Sequence, residues 1–279
     1  MKDAPTNREL SEFKLKDIDK DKLYAFLREM EFNRLLSSVI SAYGEPELSG
    51  SIDEKKIKEK QQAISKKNYH LITNLDQIDE WIKEAEEVGE VAVDTETSSL
   101  DAHQADLIGI SLCSKIGKAC YIPIGHKSSK CLKKDDVIKK LKPLLEDPSV
   151  KKIGQNIKFD FIVLYKHGIT ISSMEDTMLM SYVLDAGKNR HNMDTLSEIH
   201  LNHKTIAFKD LVGTGKKEIN FKDVDVEKAK DYAAEDADIT FRLYKKFHKS
   251  LKDEKMVNIY ELFEKPMIKI LAFMEIEGI

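Results

Sequence analysis

The chain has 279 residues, 41% of them hydrophobic and 34% charged, which suits one large domain or one domain with appendages. Its formal net charge of −4 at pH 7 excludes a protein that coats nucleic acid through overall positive charge, although a local site can still hold a few phosphates. No apolar run is long enough to cross a membrane, and the sequence does not begin with a signal peptide. The cysteines do not show the spacing of disulfide pairs. These observations predict a soluble cytoplasmic protein.

The first predicted element is a helical region over residues 13–43. Leu23, Phe26 and Leu27 stand at spacings of three and four, which is the period of one helix face. A Gly-Glu-Pro sequence then interrupts the pattern. Residues 44–67 are rich in Lys, Glu, Ser and Gln and are predicted to be a linker, with a solvated helix as the alternative.

Short strands dominate the next part of the chain. A strand is predicted at 69–72 and a helix at 75–88. Three β-rich apolar runs then follow in quick succession, at 90–94, 107–113 and 119–124. Their short connections predict an antiparallel meander.

From residue 135 onward, helices and short strands alternate. Helices are predicted at 135–145, 157–167, 175–186, 193–201 and 226–251, and a strand at 151–154. Strands first and alternation later indicate a mixed sheet with helices on its faces.

Two carboxylates close the β-rich run at 90–94. Asp94 ends the run, and strand alternation places Asp94 and Glu96 on one face and Thr95 on the other. Neighbouring carboxylates repel each other unless a cation lies between them, and Mg²⁺ and Mn²⁺ prefer oxygen ligands. The pattern alone is weak, because Asp-x-Glu recurs at Asp225 and Glu227, where it is predicted to begin a helix.

Two later segments carry carboxylates at helical spacing. Asn156 and Asp160 lie four residues apart after the strand at 151–154, so they share a helix face; an ordinary helix start capped by Asn156 is the alternative. Tyr232 and Asp236 share a face of the long helix in the same way. Here the alternative is a buried tyrosine beside a surface acid.

In this order, the three segments resemble the DEDD exonuclease superfamily in its tyrosine-containing branch. Residues 176–182, 193–208, 213–216 and 232–238 are closely similar to the proofreading domain of bacterial DNA polymerase I. Less distinctively, residues 9–40 resemble the end of that family's 5′-nuclease domain, and residues 264–279 resemble the entry into its polymerase domain.

The resemblance implies an α/β fold, with a ribonuclease H-like mixed five-stranded sheet flanked by helices and with helical N- and C-terminal extensions. The implied domains are the end of a 5′-nuclease domain at 1–43, a linker at 44–67, the 3′→5′ exonuclease at 68–250 and the start of a truncated polymerase domain at 251–279. In the last segment, an apolar face is expected to be exposed toward the polymerase domain, with Tyr260, Leu262, Phe263, Met267, Leu271 and Phe273 on it.

The resemblance also implies a two-metal site. Asp94, Glu96 and Asp236 would hold one divalent ion, Mg²⁺ or Mn²⁺, and Asp94 with Asp160 would position the other. One ion activates the attacking water and the other stabilises the leaving 3′ oxygen, while Tyr232 orients the water. The implied substrate contacts are Leu100, Asn156 and Phe208. Lys158 is a further candidate, as a cation for the DNA backbone, with a solvated surface position as the alternative. For Leu100 and Phe208, a place in the ordinary core is the alternative.

The implied function is that of a 3′→5′ exodeoxyribonuclease that proofreads during DNA replication and repair. It would release nucleoside 5′-monophosphates from the 3′ end of single-stranded or frayed DNA. The expected protein is monomeric and nucleoid-associated, and its partners are the DNA 3′ end and the polymerase and 5′-nuclease domains of a parent chain. Two alternatives remain: a catalytically silent scaffold between those domains, and an RNA-trimming 3′ exonuclease.

Overall fold

The computed structural model of the protein describes residues 18–30, 32–44, 68–128, 130–215 and 218–279. The chain divides into two compact units, residues 1–60 and 61–279. The linker predicted over 44–67 lies outside the described residues apart from Gly44, and so does the predicted helical start at 13–17.

In the N-terminal unit, the predicted helical region contains α1 (Lys20–Glu29) and α2 (Asn33–Tyr43). The Tyr24 hydroxyl donates to the carbonyl of Gly44 at 2.5 Å. This bond ties α1 to the residue that follows α2.

The described residues of the second unit contain a six-stranded sheet. Its strands are β1 (Asn68–Leu71), β2 (Glu90–Thr97), β3 (Leu107–Lys115), β4 (Lys118–Pro123), β5 (Lys151–Gly154) and β6 (Met174–Asp176). They are ordered β1-β4-β3-β2-β5-β6 across the sheet. β2, β3 and β4 form the predicted antiparallel meander, whereas the other neighbours pair in parallel. The predicted α/β class and mixed sheet are confirmed.

Within the described residues, the sheet has one strand more than the five that were predicted. The additional strand is β6, and the helix predicted over 175–186 begins only at Thr177. Three residues are too few for strand alternation to be recognised. Moreover, Glu175 and Asp176 are 3% and 1% exposed, although their residue types are usually found on the surface.

Helices cover both faces of the sheet. They are α3 (Asp76–Val88), α4 (Lys134–Glu146), α5 (Ile157–Tyr165), α6 (Thr177–Asp185), α7 (Met193–Leu201), α8 (Phe208–Val212), α9 (Val226–Asp253), α10 (Val257–Ile259) and α11 (Lys265–Glu277). The Asp225 carboxylate caps α9 by accepting from the Glu227 N–H at 3.1 Å, so the second Asp-x-Glu begins a helix as predicted. No helix among the described residues has the length and apolar character needed to cross a bilayer.

Alternation along β2 divides the core between the two faces. Val91 and Val93 belong to a cluster that includes residues of α3, α4, α5 and α11. Ala92 belongs to a second cluster, built on α9 with α6 and α7. By the same alternation, Asp94 and Glu96 continue the α9 face, and Thr95 continues the α5 face.

A π-helical turn (Tyr260–Glu264) joins α10 to α11. Leu262 and Phe263 of this turn are 67% and 66% exposed, in line with the predicted apolar surface, but Tyr260 is 1% exposed. The prediction was wrong for Tyr260, because its hydroxyl is bonded to the buried Glu175 of β6. Sequence periodicity does not reveal such a long-range partner.

Candidate active site at the end of strand β2

Three carboxylates converge where β2 passes α9. Asp94 and Glu96 come from β2, and Asp236 comes from α9. Oxygen atoms of these three residues all lie within 4.8 Å of one another. The β2–β3 register shifts between Glu96 and Thr97, so the pairing becomes irregular directly after the second carboxylate.

Asp160 approaches from α5, on the other face of the sheet. Its Oδ1 accepts two hydrogen bonds from Thr95, at 2.9 Å from the backbone N–H and at 2.6 Å from Oγ1. Asp160 is 3% exposed, and burial, followed by the charge of Asp94, raises its pKa. Thr95 therefore holds Asp160 beside the strand that carries Asp94 and Glu96.

Burial raises the pKa of each of the four carboxylates, and that of Asp94 rises to about 6. Repulsion from Asp94 raises the pKa of the other three further. Within the described part of the chain, the buried Oε1 of Glu96 has no hydrogen-bond partner. Crowded, partly unsatisfied carboxylate oxygens are a suitable ligand set for a hard divalent cation. The residues present thus fit Mg²⁺ or Mn²⁺.

Tyr232 lies one helical turn before Asp236 on α9, and both residues line one cleft. Burial, followed by the negative charges of the site, raises the pKa of Tyr232. The phenol therefore stays protonated at neutral pH, so it can orient a hydrogen-bonded group but does not act as a base.

An open cleft of about 1220 Å³ is lined by three of the four carboxylates and by Tyr232, but not by Asp160. Asp94, Glu96, Tyr232 and Asp236 line it together with Leu100 and Phe208. Leu100 is 95% exposed and Phe208 is 44% exposed, so neither is an ordinary core residue. One face of the Phe208 ring stacks on Phe221, with centroids 6.0 Å apart and an interplanar angle of 9°.

The remaining two predicted substrate residues lie near the start of α5. Asn156 adopts the left-handed conformation, with φ 64°, and follows Gln155, which lines the cleft. Lys158 directs its ammonium group to Glu275 of α11. Leu100 and Phe208 thus line the cleft together with Asp94, Glu96 and Asp236. Lys158 is instead paired with Glu275.

A family model described as 3′-5′ exonuclease matches residues 69–252. The chain is 43% identical over 232 residues to DNA polymerase I of Rhizobium leguminosarum, covering 76% of this chain and 23% of that protein. It is 36% identical over 279 residues to DNA polymerase I of Pseudomonas aeruginosa, covering 94% of this chain and 30% of that protein. The chain belongs to the 3′-5′ exonuclease family of DNA polymerase I. It spans less than a third of the length of either relative.

Solved structures share the fold of this exonuclease domain. Brucella melitensis NrnC with bound Mg²⁺ matches with a TM-score of 0.57 and 22% identity, over 76% of this chain and 94% of that one. Escherichia coli RNase D matches with a TM-score of 0.57 and 17% identity, over 74% and 50%. At these identities the likeness shows the architecture alone, and the predicted ribonuclease H-like fold is confirmed.

Two polar residues of the exonuclease site were not identified from the sequence. Thr95 was placed only on the face opposite the acids, and its bond to Asp160 depends on how α5 packs. Glu235 is 0% exposed; it accepts from the Ile206 N–H at 2.6 Å and lies 3.1 Å from His203 Nε2. Glu235 thereby fixes the segment that leads into Phe208. Its position next to Asp236 is the one local signal that was available.

Proposed function

We propose that this exonuclease domain hydrolyses the 3′-terminal phosphodiester bond of single-stranded or frayed DNA and releases nucleoside 5′-monophosphates. Its cofactors are two divalent ions, Mg²⁺ or Mn²⁺. One observation carries the proposal: oxygen atoms of Asp94, Glu96 and Asp236 lie within 4.8 Å of one another, in a cleft that also exposes Leu100 and Phe208. Carboxylates for metal binding and apolar surface for bases thus share one cleft.

In this proposal, Asp94, Glu96 and Asp236 hold one ion, and Asp94 and Asp160 hold the other. Such a pair of ions supplies activation of a water molecule and stabilisation of charge on the leaving oxygen. Tyr232 contributes orientation: its protonated hydroxyl, in the same cleft as Asp236, positions the attacking water by hydrogen bonding. Thr95 keeps Asp160 in place through its two bonds.

Leu100 and Phe208 provide the preference for unpaired ends. An apolar side chain that is 95% exposed, as Leu100 is, offers surface that a nucleobase can cover. Phe208 is backed by Phe221 on one ring face, so its exposed part offers a supported stacking surface. Because every base has a stacking face, binding of this kind tolerates any sequence but requires the base to be free of its pairing partner.

Asn156 and Lys158 have supporting roles in the proposal. Asn156 adjoins Gln155 in the cleft wall, and we assign it a contact with the strand end. Lys158 meets the DNA backbone only after its ammonium group leaves Glu275. As a domain of a DNA polymerase I relative, the chain would act beside a polymerase domain in the same polypeptide.

The test is degradation of a 5′-labelled DNA single strand with Mg²⁺ or Mn²⁺. We expect a ladder that shortens from the 3′ end, and losses of about a hundredfold or more in Asp94→Ala and Asp160→Ala, because each removes a metal ligand. Asp253→Ala, which changes an exposed carboxylate at the end of α9, is the matched control and retains activity.

Two outcomes would replace the proposal. If a folded wild-type chain binds the strand but leaves it intact with either metal, a catalytically silent scaffold is the better description. If an RNA strand of the same sequence is trimmed faster than the DNA, the domain is an RNA-trimming exonuclease.

A further inference from the structure

A buried tyrosine from the C-terminal helical segment contacts β6, the strand that is hydrogen-bonded to the turn at Asn156. Tyr260 lies in the π-helical turn, beyond the residues 69–252 that match the exonuclease family model. It is 1% exposed. Its hydroxyl donates to Glu175 Oε2 at 2.9 Å and accepts from the backbone N–H of Asp176 at 2.9 Å.

Asp176 connects this tyrosine to the start of α5. Its Oδ1 accepts from the backbone N–H of Asn156 at 3.1 Å, and its Oδ2 accepts from the N–H of Ile157 at 3.0 Å. These bonds fix the left-handed turn at Asn156, where φ is 64°. Asp160 lies four residues after Asn156, which is about one turn of α5. The backbone conformation at Asn156 therefore determines where the Asp160 carboxylate lies.

The same C-terminal segment also packs along α5. The ring of Phe273 lies 5.5 Å from that of Phe161, edge to face, and Glu275 pairs with Lys158. Ile268 and Ala272 of α11 are buried in the core cluster of this face. Helix α5 is therefore held at its start through Asp176 and along its length by α11.

We propose that Tyr260 is a positioning residue for Asp160, and hence for the second metal ion of the exonuclease site. The inference rests on the proposed function and extends it: the site depends on a helix outside the family's exonuclease region. Tyr260 fixes the backbone of Asp176, Asp176 fixes the Asn156 turn, and the turn sets Asp160. Metal ligands tolerate little displacement, and loss of an outer supporting bond typically weakens metal binding or activity by about 10–100-fold.

Tyr260→Phe tests the proposal, since it removes the hydroxyl and keeps the ring. In calorimetric titration of metal-stripped protein with Mn²⁺, we expect affinity for one of two ions to fall about fivefold to tenfold. The expected loss is at the lower end of the range because Tyr260 acts on Asp160 through Asp176 and the Asn156 turn. Affinity for the other ion stays unchanged. On single-stranded DNA, kcat at limiting Mn²⁺ falls by a similar factor, and KM for the DNA does not change.

Tyr244→Phe is the matched control. Tyr244 is 0% exposed, and its hydroxyl bonds to Glu90 at 3.3 Å and to Lys151 at 3.2 Å. Tyr244→Phe therefore removes a buried, hydrogen-bonded hydroxyl, as Tyr260→Phe does, but one that is not bonded to Asp176. We expect wild-type Mn²⁺ binding and kinetics. Circular dichroism verifies that each variant is folded. Phe273→Leu is a second, milder change in the α5–α11 contact, and we expect it to lower the affinity for one of the two Mn²⁺ ions as well.

A double-mutant cycle with Asp176→Asn tests the connection itself. If Tyr260 acts through Asp176, the double variant binds Mn²⁺ about as weakly as the weaker single variant. Effects that multiply would overturn the proposal, and so would wild-type Mn²⁺ affinity in folded Tyr260→Phe and Phe273→Leu. A wild-type chain that neither binds Mn²⁺ nor trims DNA would instead overturn the proposed function on which this inference rests.

Discussion

Thr95→Val removes one hydroxyl group from the candidate active site and keeps nearly the same side-chain volume. The lost contact is the 2.6 Å hydrogen bond from Thr95 Oγ1 to Asp160 Oδ1, while the 2.9 Å bond from the backbone N–H remains. Thr95 and Asp160 are 7% and 3% exposed, so water has little access to replace the hydroxyl.

The size of the effect follows from this geometry. A hydrogen bond to a buried charged group contributes about 1.5–3 kcal/mol. For a metal-ligating carboxylate, we expect losses of about 10–100-fold in metal affinity or rate. The Thr95 bonds also lower the pKa of Asp160 against the raising effects of burial and Asp94. Valine therefore raises that pKa, and the acidic limb of the pH–rate profile moves to higher pH.

The assay is hydrolysis of a labelled DNA single strand at several Mn²⁺ concentrations and pH values. Thr240→Val is the matched control, because Thr240 is a threonine on α9 that is 1% exposed and whose hydroxyl contacts only the sulfur of Met193 at 3.5 Å in the described structure. The control should keep the wild-type rate. A Thr95→Val protein with unchanged rate, Mn²⁺ requirement and pH profile would refute the reasoning.

Two further predictions concern the metal-free protein and the stacking ring. In a chelator, the unfolding temperature should fall as pH rises from about 5 to about 8, because carboxyl groups with raised pKa contribute stability below their unfolded pKa and lose it as pH passes the folded value. That value is about 6 for Asp94, and the pKa of Glu96, Asp160 and Asp236 is raised as well. With saturating Mn²⁺, thermal scans should show an unfolding temperature that rises with pH instead. A metal-free unfolding temperature that does not change with pH would contradict the prediction. Phe208→Ala should raise KM for single-stranded DNA about 5–150-fold, since one base loses about 1–3 kcal/mol of stacking. Phe208→Trp should retain the wild-type KM. Equal KM values for all three proteins in steady-state kinetics would count against the stacking role.

Local spacing predicted much of the site. Two-residue alternation placed Asp94 and Glu96 on one strand face, and the structure brings both to Asp236, within 4.8 Å. Four-residue spacing placed Tyr232 on the same face of its helix as Asp236, and in the structure both residues line the cleft. Such spacings are readable because they are properties of a single element.

Contacts between elements were not readable in this way. The bond of Thr95 to Asp160 joins residues 65 positions apart, and that of Tyr260 to Glu175 joins residues 85 positions apart. Nor did the sequence reveal that Lys158, a candidate contact of the DNA backbone, pairs with Glu275 of α11. Buried polar partners of this kind are set by the packing of elements, and nothing in the local pattern distinguishes them from solvated side chains.

The division of β2 between two faces limits how this domain can change during evolution. Substitutions in the strand act one side chain at a time, but inserting or deleting a single residue at the start of β2 would turn both acids toward α5 and Thr95 toward α9. The apolar neighbours Val91 and Val93 would then have to exchange environments with Ala92. A lineage can therefore lose hydrolysis by point substitution and keep the fold, whereas a change of length within β2 would remove the site and disrupt both halves of the core in one event.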